Sequence, residues 1–153
     1  MNRTAGAALW LAALAVLTCA SGPPQPAPLD TRNEACASCR MAVSDARFAA
    51  QLVAPGELPR FFDDIGCLST FVKAGKAPEG ATAFVADHRS REWVRADRAV
   101  YTRVPGLETP MGSALVAHSD TASRDQDATV RTGTPVPAAE LFAAGGPPVE
   151  EAR

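Results

Sequence analysis

The hydrophobic and polar positions between residues 48 and 62 follow the pattern of a β-hairpin. Phe48 to Val53 is a plausible strand that is apolar except at Gln51, and Pro55-Gly56 is typical of a turn. Arg60-Phe61-Phe62 then provides a short return strand. The sequence therefore predicts two short strands joined by a loop of several residues.

A helix is predicted directly after this hairpin. Its apolar residues recur at the spacing of one helix face, at Ile65, Leu68, Phe71 and Val72. Either of the two aspartates before Ile65 (residues 63 and 64) can cap the helix. Lys73 and Gly75 are typical of a helix end, so the helix is predicted to stop near residue 74.

The second half of the chain predicts further strands. Strand-like runs lie at Thr82 to Ala86, Glu92 to Val94 and Ala99 to Val104, and the charged segment Asp87 to Arg91 forms a turn between the first two. Residues 114–117 fit a strand, although Thr109-Pro110 could instead cap and begin a helix there. We favour the strand, followed by a short polar helix over about 120–128, because this order repeats the strand-strand-helix rhythm of the first half.

The N-terminal segment has the features of an export signal. Ala7 to Leu17 is an unbroken apolar run, too short to span a bilayer comfortably. The run ends in Val16-Leu17-Thr18-Cys19, which resembles a bacterial lipobox, so residues 1–19 are predicted to be a signal peptide and Cys19 to be lipidated. Cleavage after Ala20 is the alternative. Both interpretations place the protein outside the cytoplasm, in the periplasm.

A proline-rich segment precedes the predicted folded region. Residues 20–33 are proline-rich and are predicted to form an extended, disordered tether. The folded domain is predicted over 34–145, with residues 146–153 as a disordered tail. Of 153 residues, roughly 110 remain for the fold, which is enough for one compact domain and too few for a large enzyme core.

The charges argue against a nucleic-acid partner. The chain has 15 Lys plus Arg and 17 Asp plus Glu, and the basic residues are scattered among acidic ones and form no stripe. We therefore expect no nucleic-acid binding.

The sulfur atoms are the strongest chemical signal. Cys36-Ala-Ser-Cys39-Arg-Met41 places two thiols and a thioether within one short segment. Soft sulfur donors select Cu(I), and a thioether is seldom a zinc ligand. A disulfide between the two cysteines, or packing of Met41 in the core, would also account for the motif.

Other candidate ligands lie further along the chain. Cys67 is in the first turn of the predicted helix, where the helix dipole lowers a thiol pKa while the two preceding aspartates raise it. Met111 lies beside a glycine in a predicted loop. His118 would join a copper site only if the tertiary fold brought it close, and His88 is in the charged turn.

These motifs together resemble the NosL family, accessory proteins for copper insertion into nitrous oxide reductase. The matching segments are Cys36-x-x-Cys39-x-Met41, residues 43–51, Phe62-Asp63-Asp64-Ile65-Gly66-Cys67 and Thr109-Pro110-Met111-Gly112. One departure is Arg40, because many NosL proteins have glycine between the second cysteine and the methionine.

The resemblance implies an α+β fold of two small ββαβ units, at about 34–86 and 87–130, similar to the organomercurial lyases. It also implies Cu(I) binding and delivery without catalysis, to nitrous oxide reductase in denitrification. A lipid-anchored location and an ABC-type maturation complex as a further partner follow from the same resemblance. Its ligands would be Cys39 and Met41, then Met111, with Cys36 and Cys67 as further thiolates.

Three other functions stay open at this point. Cys36 and Cys39 could serve a thiol-disulfide oxidoreductase. Zinc could be held structurally by Cys36, Cys39, Cys67 and a histidine. An organomercurial-lyase-like activity is suggested by fold analogy alone.

Overall fold

The computed structural model describes residues 23–143. The predicted signal peptide, Cys19 and the tail at 146–153 lie outside the described residues. The described part contains seven strands, three α-helices and one 3₁₀ turn, in the order β1 (Ala50–Val53), β2 (Arg60–Phe62), α1 (Ile65–Lys73), β3 (Thr82–Ala86), β4 (Trp93–Arg95), β5 (Val100–Arg103), β6 (Leu115–His118), α2 (Thr121–Asp125), the 3₁₀ turn (Ala128–Val130), β7 (Thr134–Val136) and α3 (Ala138–Phe142).

The strands form two antiparallel sheets. The first has the order β2-β1-β3-β4 and the second the order β6-β5-β7. The predicted hairpin, the predicted helix and the strand favoured for residues 114–117 are all confirmed, with shifts of one or two residues at their ends. The predicted polar helix is present as the shorter α2, capped by Asp120.

The two sheets do not correspond to the two predicted ββαβ units at about 34–86 and 87–130. β4 pairs with β3, with Val94 opposite Val85, because a tight turn at residues 87–91 folds one strand back on the other. The predicted border at residues 86 and 87 thus falls inside the first sheet. The second sheet also extends beyond residue 130, since β7 pairs with β5, and neither β7 nor α3 was predicted.

One continuous core joins the two sheets and α1. The largest fully buried side chains include Tyr101, Phe62, Ile65 and Leu68, and they belong to a single cluster. Burial of this apolar surface is the main source of stability in such a domain. A smaller cluster of Phe48, Val104, Val116 and Val130 covers the other face of the second sheet.

The proline-rich segment contacts the domain before residue 34. Ala27 and Leu29 are partly buried against the core. The buried Gln51 side chain accepts a hydrogen bond from the Ala27 amide at 2.8 Å and donates one to the Ala27 carbonyl at 3.0 Å. Part of the segment predicted as a loose tether is therefore packed against the domain. The reason is that the side-chain amide of Gln51, in β1, bonds to both the backbone N–H and the backbone carbonyl of Ala27. None of the helices between residues 23 and 143 is long and apolar enough to cross a membrane.

Candidate metal centre

Cys36 and Cys39 lie on a short loop that is attached to the end of β2. The Cys36 amide donates to the Met41 carbonyl at 2.8 Å, which closes the loop on itself. The Ala37 amide donates to the Phe61 carbonyl at 2.8 Å, which holds the loop against β2. Both thiols are thereby placed beside the point where the chain leaves the strand and enters α1.

Asp63 and Cys67 reach the same point from the start of α1. The helix begins there because Asp64 is its N-cap, and the Asp64 carboxylate accepts a hydrogen bond from the Gly66 amide at 2.6 Å. With Asp64 in that role, the Asp63 side chain is free to point toward the cysteine loop. Cys67 follows in the first helical turn.

These segments bring four metal-type donors together. Cys36, Cys39, Asp63 and Cys67 each offer a ligand atom, and all four atoms lie within 4.8 Å of one another. Three of the residues are buried, and Cys39 is the partly exposed one. All three cysteines are free thiols. The structure thus brings together the three thiols that the sequence singled out between residues 36 and 67.

The hydrogen bonds within this group are incomplete. The Cys39 thiol donates to Asp63 Oδ2 at 3.3 Å, and the Cys39 amide points at the Cys36 sulfur at 3.5 Å. Asp63 Oδ1 is buried without a partner. Buried carboxylate oxygens normally have hydrogen-bond partners, so this unpaired atom marks the group as a candidate ligand site.

Burial raises the pKa of two of the thiols. For Cys67, burial is the largest cause, and the nearby Cys36 and Asp63 add to it. Burial also raises the pKa of Cys39, against a backbone hydrogen bond from Met41 that acts in the opposite direction. The sequence suggested opposing effects on the pKa of Cys67, and in the structure the net effect is to raise that pKa. An incoming metal ion must therefore displace thiol protons.

The loop that carries Met111 is attached to the same helix end. The second oxygen of Asp64 accepts hydrogen bonds from the Thr109 hydroxyl at 2.6 Å and from the Met111 amide at 3.1 Å. The close approach requires a glycine in the helix, because a Cβ on Gly66 would meet the Ser113 Cβ at 2.7 Å. The motif at the start of α1 and the motif that carries Met111 are distant in the sequence, and these hydrogen bonds hold them together.

The side chains of Met41 and Met111 are on the surface. Their exposed fractions are 57% and 45%, which excludes the interpretation that either methionine is core filler. Both residues are attached to the centre through their backbones, Met41 through Cys36 and Met111 through Asp64. Whether their sulfur atoms bind metal stays a prediction.

Neither histidine belongs to this group. Among the described residues, His118 forms a separate buried group with His88 and Asp127. β6 begins at Leu115 and ends at His118. His118 is therefore roughly 10 Å along the strand from Leu115. His88 is buried, although its charged neighbours in the sequence suggested an exposed turn.

Asp63 is the site residue that sequence reasoning did not identify as a donor. The sequence contained a usable signal, because two consecutive aspartates precede a helix that needs one cap. Asp127 was not singled out at all, and nothing in its local sequence distinguishes it from neighbouring acidic residues.

The arrangement is suited to metal binding more than to disulfide exchange. The Cys36–Cys39 segment forms a turn ahead of β1 and does not begin a helix, whereas a helix N-terminus is a usual means of activating a redox thiol. Three converging thiols suit a soft ion such as Cu(I), and a carboxylate beside them also suits Zn(II).

Comparison with known proteins identifies the fold. No protein-family model and no curated protein matches the chain. The crystal structure of the copper chaperone NosL from Shewanella denitrificans is similar, with a TM-score of 0.65 and 16% sequence identity. The similarity covers 80% of this chain and 98% of that one. The chain therefore has the NosL fold, which confirms the α+β class predicted from the sequence.

Proposed function

We propose that this chain is a copper-binding accessory protein that holds Cu(I) through sulfur and transfers it to an acceptor protein without catalysing a reaction. The observation that carries the proposal is the convergence of three free thiols from two separate segments. Thiolates are the donors that Cu(I) prefers. The NosL fold supports the same function, because the similar solved structure is described as a copper chaperone.

The exposed methionines support transfer as well as binding. Cys39 is the partly exposed thiol, and the Met41 and Met111 side chains are accessible to a partner protein. An ion held by two or three soft ligands can move to an acceptor by exchanging one ligand at a time. In this proposal Cys39 and Met41 are the principal ligands, Met111 is the next candidate, and Cys36 and Cys67 are the remaining thiolate candidates.

The acceptor and location are proposed from the sequence resemblance. The acceptor is a periplasmic copper enzyme, with nitrous oxide reductase as the specific candidate and an ABC-type maturation complex as a further partner. The export segment and Cys19 support an extracytoplasmic, lipid-anchored protein. Mass spectrometry of the mature N-terminus tests the lipid directly.

Anaerobic titration with Cu(I) against a competing chelator tests the binding site. We expect about one Cu(I) per chain, loss of high-affinity binding in Cys39→Ser, and strong weakening in Met41→Ala. Leu58→Ala is the matched control, because Leu58 is also an exposed apolar residue, 86% accessible. Unchanged affinity in both sulfur variants would end the proposal.

X-ray absorption on the Cu(I)-loaded protein tests the ligand type independently of any variant. A shell dominated by sulfur at short distance is the expected result. A shell made only of nitrogen or oxygen contradicts the assignment.

A structural zinc site is the second candidate, and Asp63 is the observation that favours it. Three thiolates and one carboxylate can complete a tetrahedral zinc shell. Asp63→Asn separates the two functions, because it should weaken Zn(II) binding and leave Cu(I) stoichiometry unchanged. Metal analysis after anaerobic purification, with and without chelator, shows which ion the chain retains.

A further inference from the structure

His88, His118 and Asp127 form a second buried group of metal-type donors. Their ligand atoms lie within 4.8 Å of one another. The three exposed fractions are 7%, 0% and 7%. Each residue comes from a different segment: the turn after β3, the end of β6 and the cap of the 3₁₀ turn. Nothing in the proposed copper function uses this group.

The backbone holds the group in place independently of its own hydrogen bonds. The His88 amide donates to the Ala117 carbonyl at 2.9 Å, which attaches the turn to β6 one residue before His118. Asp127 Oδ1 accepts from the Thr129 amide at 2.8 Å, which leaves its Oδ2 directed at the histidines. The three donors are therefore preorganised by secondary structure.

The distances suit a tetrahedral ion. Asp127 Oδ2 lies 2.7 Å from His88 Nδ1 and 3.1 Å from His118 Nε2. Zinc bonds to histidine and carboxylate are about 2.0–2.2 Å long, so two ligands on a tetrahedral ion are about 3.3 Å apart. The donors need to separate by a few tenths of an ångström to admit an ion.

Hydrogen bonding alone leaves the group unsatisfied. While Asp127 accepts from the two inner ring nitrogens, the outer ones, His88 Nε2 and His118 Nδ1, are buried without partners. A partly satisfied buried polar network is costly, and it needs a further source of stabilisation. An ion bound by the inner nitrogens and the carboxylate would offset part of this cost through its coordinate bonds, and each ring would then carry its proton on the outer nitrogen, which stays without a partner among the described residues.

A cavity reaches one member of the group, Asp127. It has a volume of about 370 Å³ and its lining includes Asp127 and Thr102. Thr102 is 2% exposed, and its hydroxyl also has no partner. Two arginines in the lining are balanced by Asp125 and Asp127. The cavity thus approaches the group from the side of Asp127, and neither histidine belongs to its lining.

We infer that His88, His118 and Asp127 form a second metal site, for a borderline divalent cation of the Zn(II) class. Two imidazoles and one carboxylate are donors that Zn(II) accepts readily and that Cu(I) does not favour over thiolates. The site is thus chemically distinct from the sulfur centre, and it would bind its ion whether or not the copper proposal holds.

The test uses the full chain with Cys36, Cys39 and Cys67 all replaced by serine and with no histidine tag. Equilibrium dialysis is expected to find about one Zn(II) per chain. Co(II) should give ligand-field bands without the sulfur-to-cobalt charge transfer of a thiolate site. Adding His118→Gln should weaken Zn(II) binding by more than about 100-fold, beyond the usual effect of losing a supporting residue. Asp125→Asn, at an exposed neighbouring position, is the matched control and should bind as before.

Nitrogen NMR keeps the test decisive even if a histidine variant fails to fold. The chain contains 2 histidines, both in this group, so every imidazole signal reports on it. Zn(II) added to the folded triple-serine protein should shift His88 Nδ1 and His118 Nε2. The inference is overturned if the triple-serine protein binds neither Zn(II) nor Co(II), or if zinc leaves both rings unchanged.

Discussion

At the residue scale, the thiols of the candidate metal centre carry protons that a metal ion must displace. The pKa of Cys39 and of Cys67 lies above the ordinary thiol value, chiefly because the partial burial of Cys39 and the burial of Cys67 penalise the thiolate form. Near neutral pH these thiols are protonated, and each must lose its proton to bind metal as a thiolate. Binding and proton release are therefore coupled.

We predict that Cu(I) affinity rises with pH, by about tenfold per pH unit for each proton released. The sign follows from the raised pKa, since more alkaline solution removes the competing proton. A Cu(I) chelator competition carried out at several pH values between about 6 and 8 measures the slope. The same affinity across that range would contradict thiolate ligation by these two residues.

Arg40 has a backbone conformation that favours glycine. Its φ is 70°, in the left-handed region, which costs a residue with a side chain about 1–2 kcal/mol. The strain arises because the loop must turn sharply between Cys39 and Met41 to return its backbone to Cys36.

We predict that Arg40→Gly stabilises the metal-free protein by about 0.5–1 kcal/mol, after the greater freedom of glycine in the unfolded chain is subtracted. Urea unfolding measures the change. Arg98→Gly is the matched control, because Arg98 is an exposed turn residue outside the left-handed region and should lose stability. Equal losses in the two variants would show that Arg40 is not strained.

At the scale of elements, Asp64 connects α1 to the loop that carries Met111. Its carboxylate caps the helix at Gly66 and accepts hydrogen bonds from Thr109 and Met111. Asp64 is itself fully buried. One side chain therefore sets both the start of the helix and the position of the second methionine.

We predict that Asp64→Ala lowers the free energy of unfolding by about 3 kcal/mol, since it removes a cap and leaves three partly buried donors without their acceptor. Chemical denaturation measures the loss. Asp120→Ala is the matched control, because Asp120 caps α2 through Ser123 and is exposed, so it should cost about 1 kcal/mol. A loss no larger than that of the control would mean that Asp64 does not anchor the methionine loop.

At the scale of the whole molecule, Asp87 joins the two sheets. Within its own turn it accepts from the amides of Arg89 and Ser90. From the second half of the chain it accepts from the Ser119 amide and the Ser123 hydroxyl, both at 2.8 Å. Burial acts to raise the pKa of Asp87, but these hydrogen bonds outweigh it and hold the pKa well below the usual value.

We predict that Asp87→Asn lowers the free energy of unfolding at pH 7 by about 2 kcal/mol or more, because the amide nitrogen cannot accept from Ser119 and Ser123. A carboxylate with a lowered folded pKa stabilises the protein above its unfolded pKa, and the contribution is lost as pH falls through the folded pKa. The difference from the wild type should therefore shrink below about pH 4.

Urea unfolding of both proteins at neutral and acid pH tests this expectation. Asp97→Asn is the control, since Asp97 pairs with Arg95 on the surface and its side chain is 60% exposed. Such exposed pairs contribute about 0–1 kcal/mol. A pH-independent difference between Asp87→Asn and the wild type would contradict the proposed linkage.

The sequence by itself determined the features that depend on local periodicity and local chemistry. Strands β1 to β6 and helix α1 could be predicted because each carries its own hydrophobic pattern, turn residues or cap. Cys36 and Cys39 could be chosen as candidate ligands because they lie close together with Met41 in the sequence, and Cys67 because it lies in the first turn of the predicted helix. The α+β class followed from the same patterns and the motif resemblance.

The tertiary structure alone decided the features that depend on pairing across the chain. The edge strands β4 and β7 take their sheets from their partners, and β7 was missed because its three residues have too little pattern to reveal a strand. Asp63 became a candidate donor only once Asp64 took the capping role. His118 lies beside His88 and Asp127, which are themselves 39 residues apart in the sequence. The three meet because the β3–β4 turn packs against β6. Local sequence does not determine such long-range contacts, because they depend on how the sheets pack.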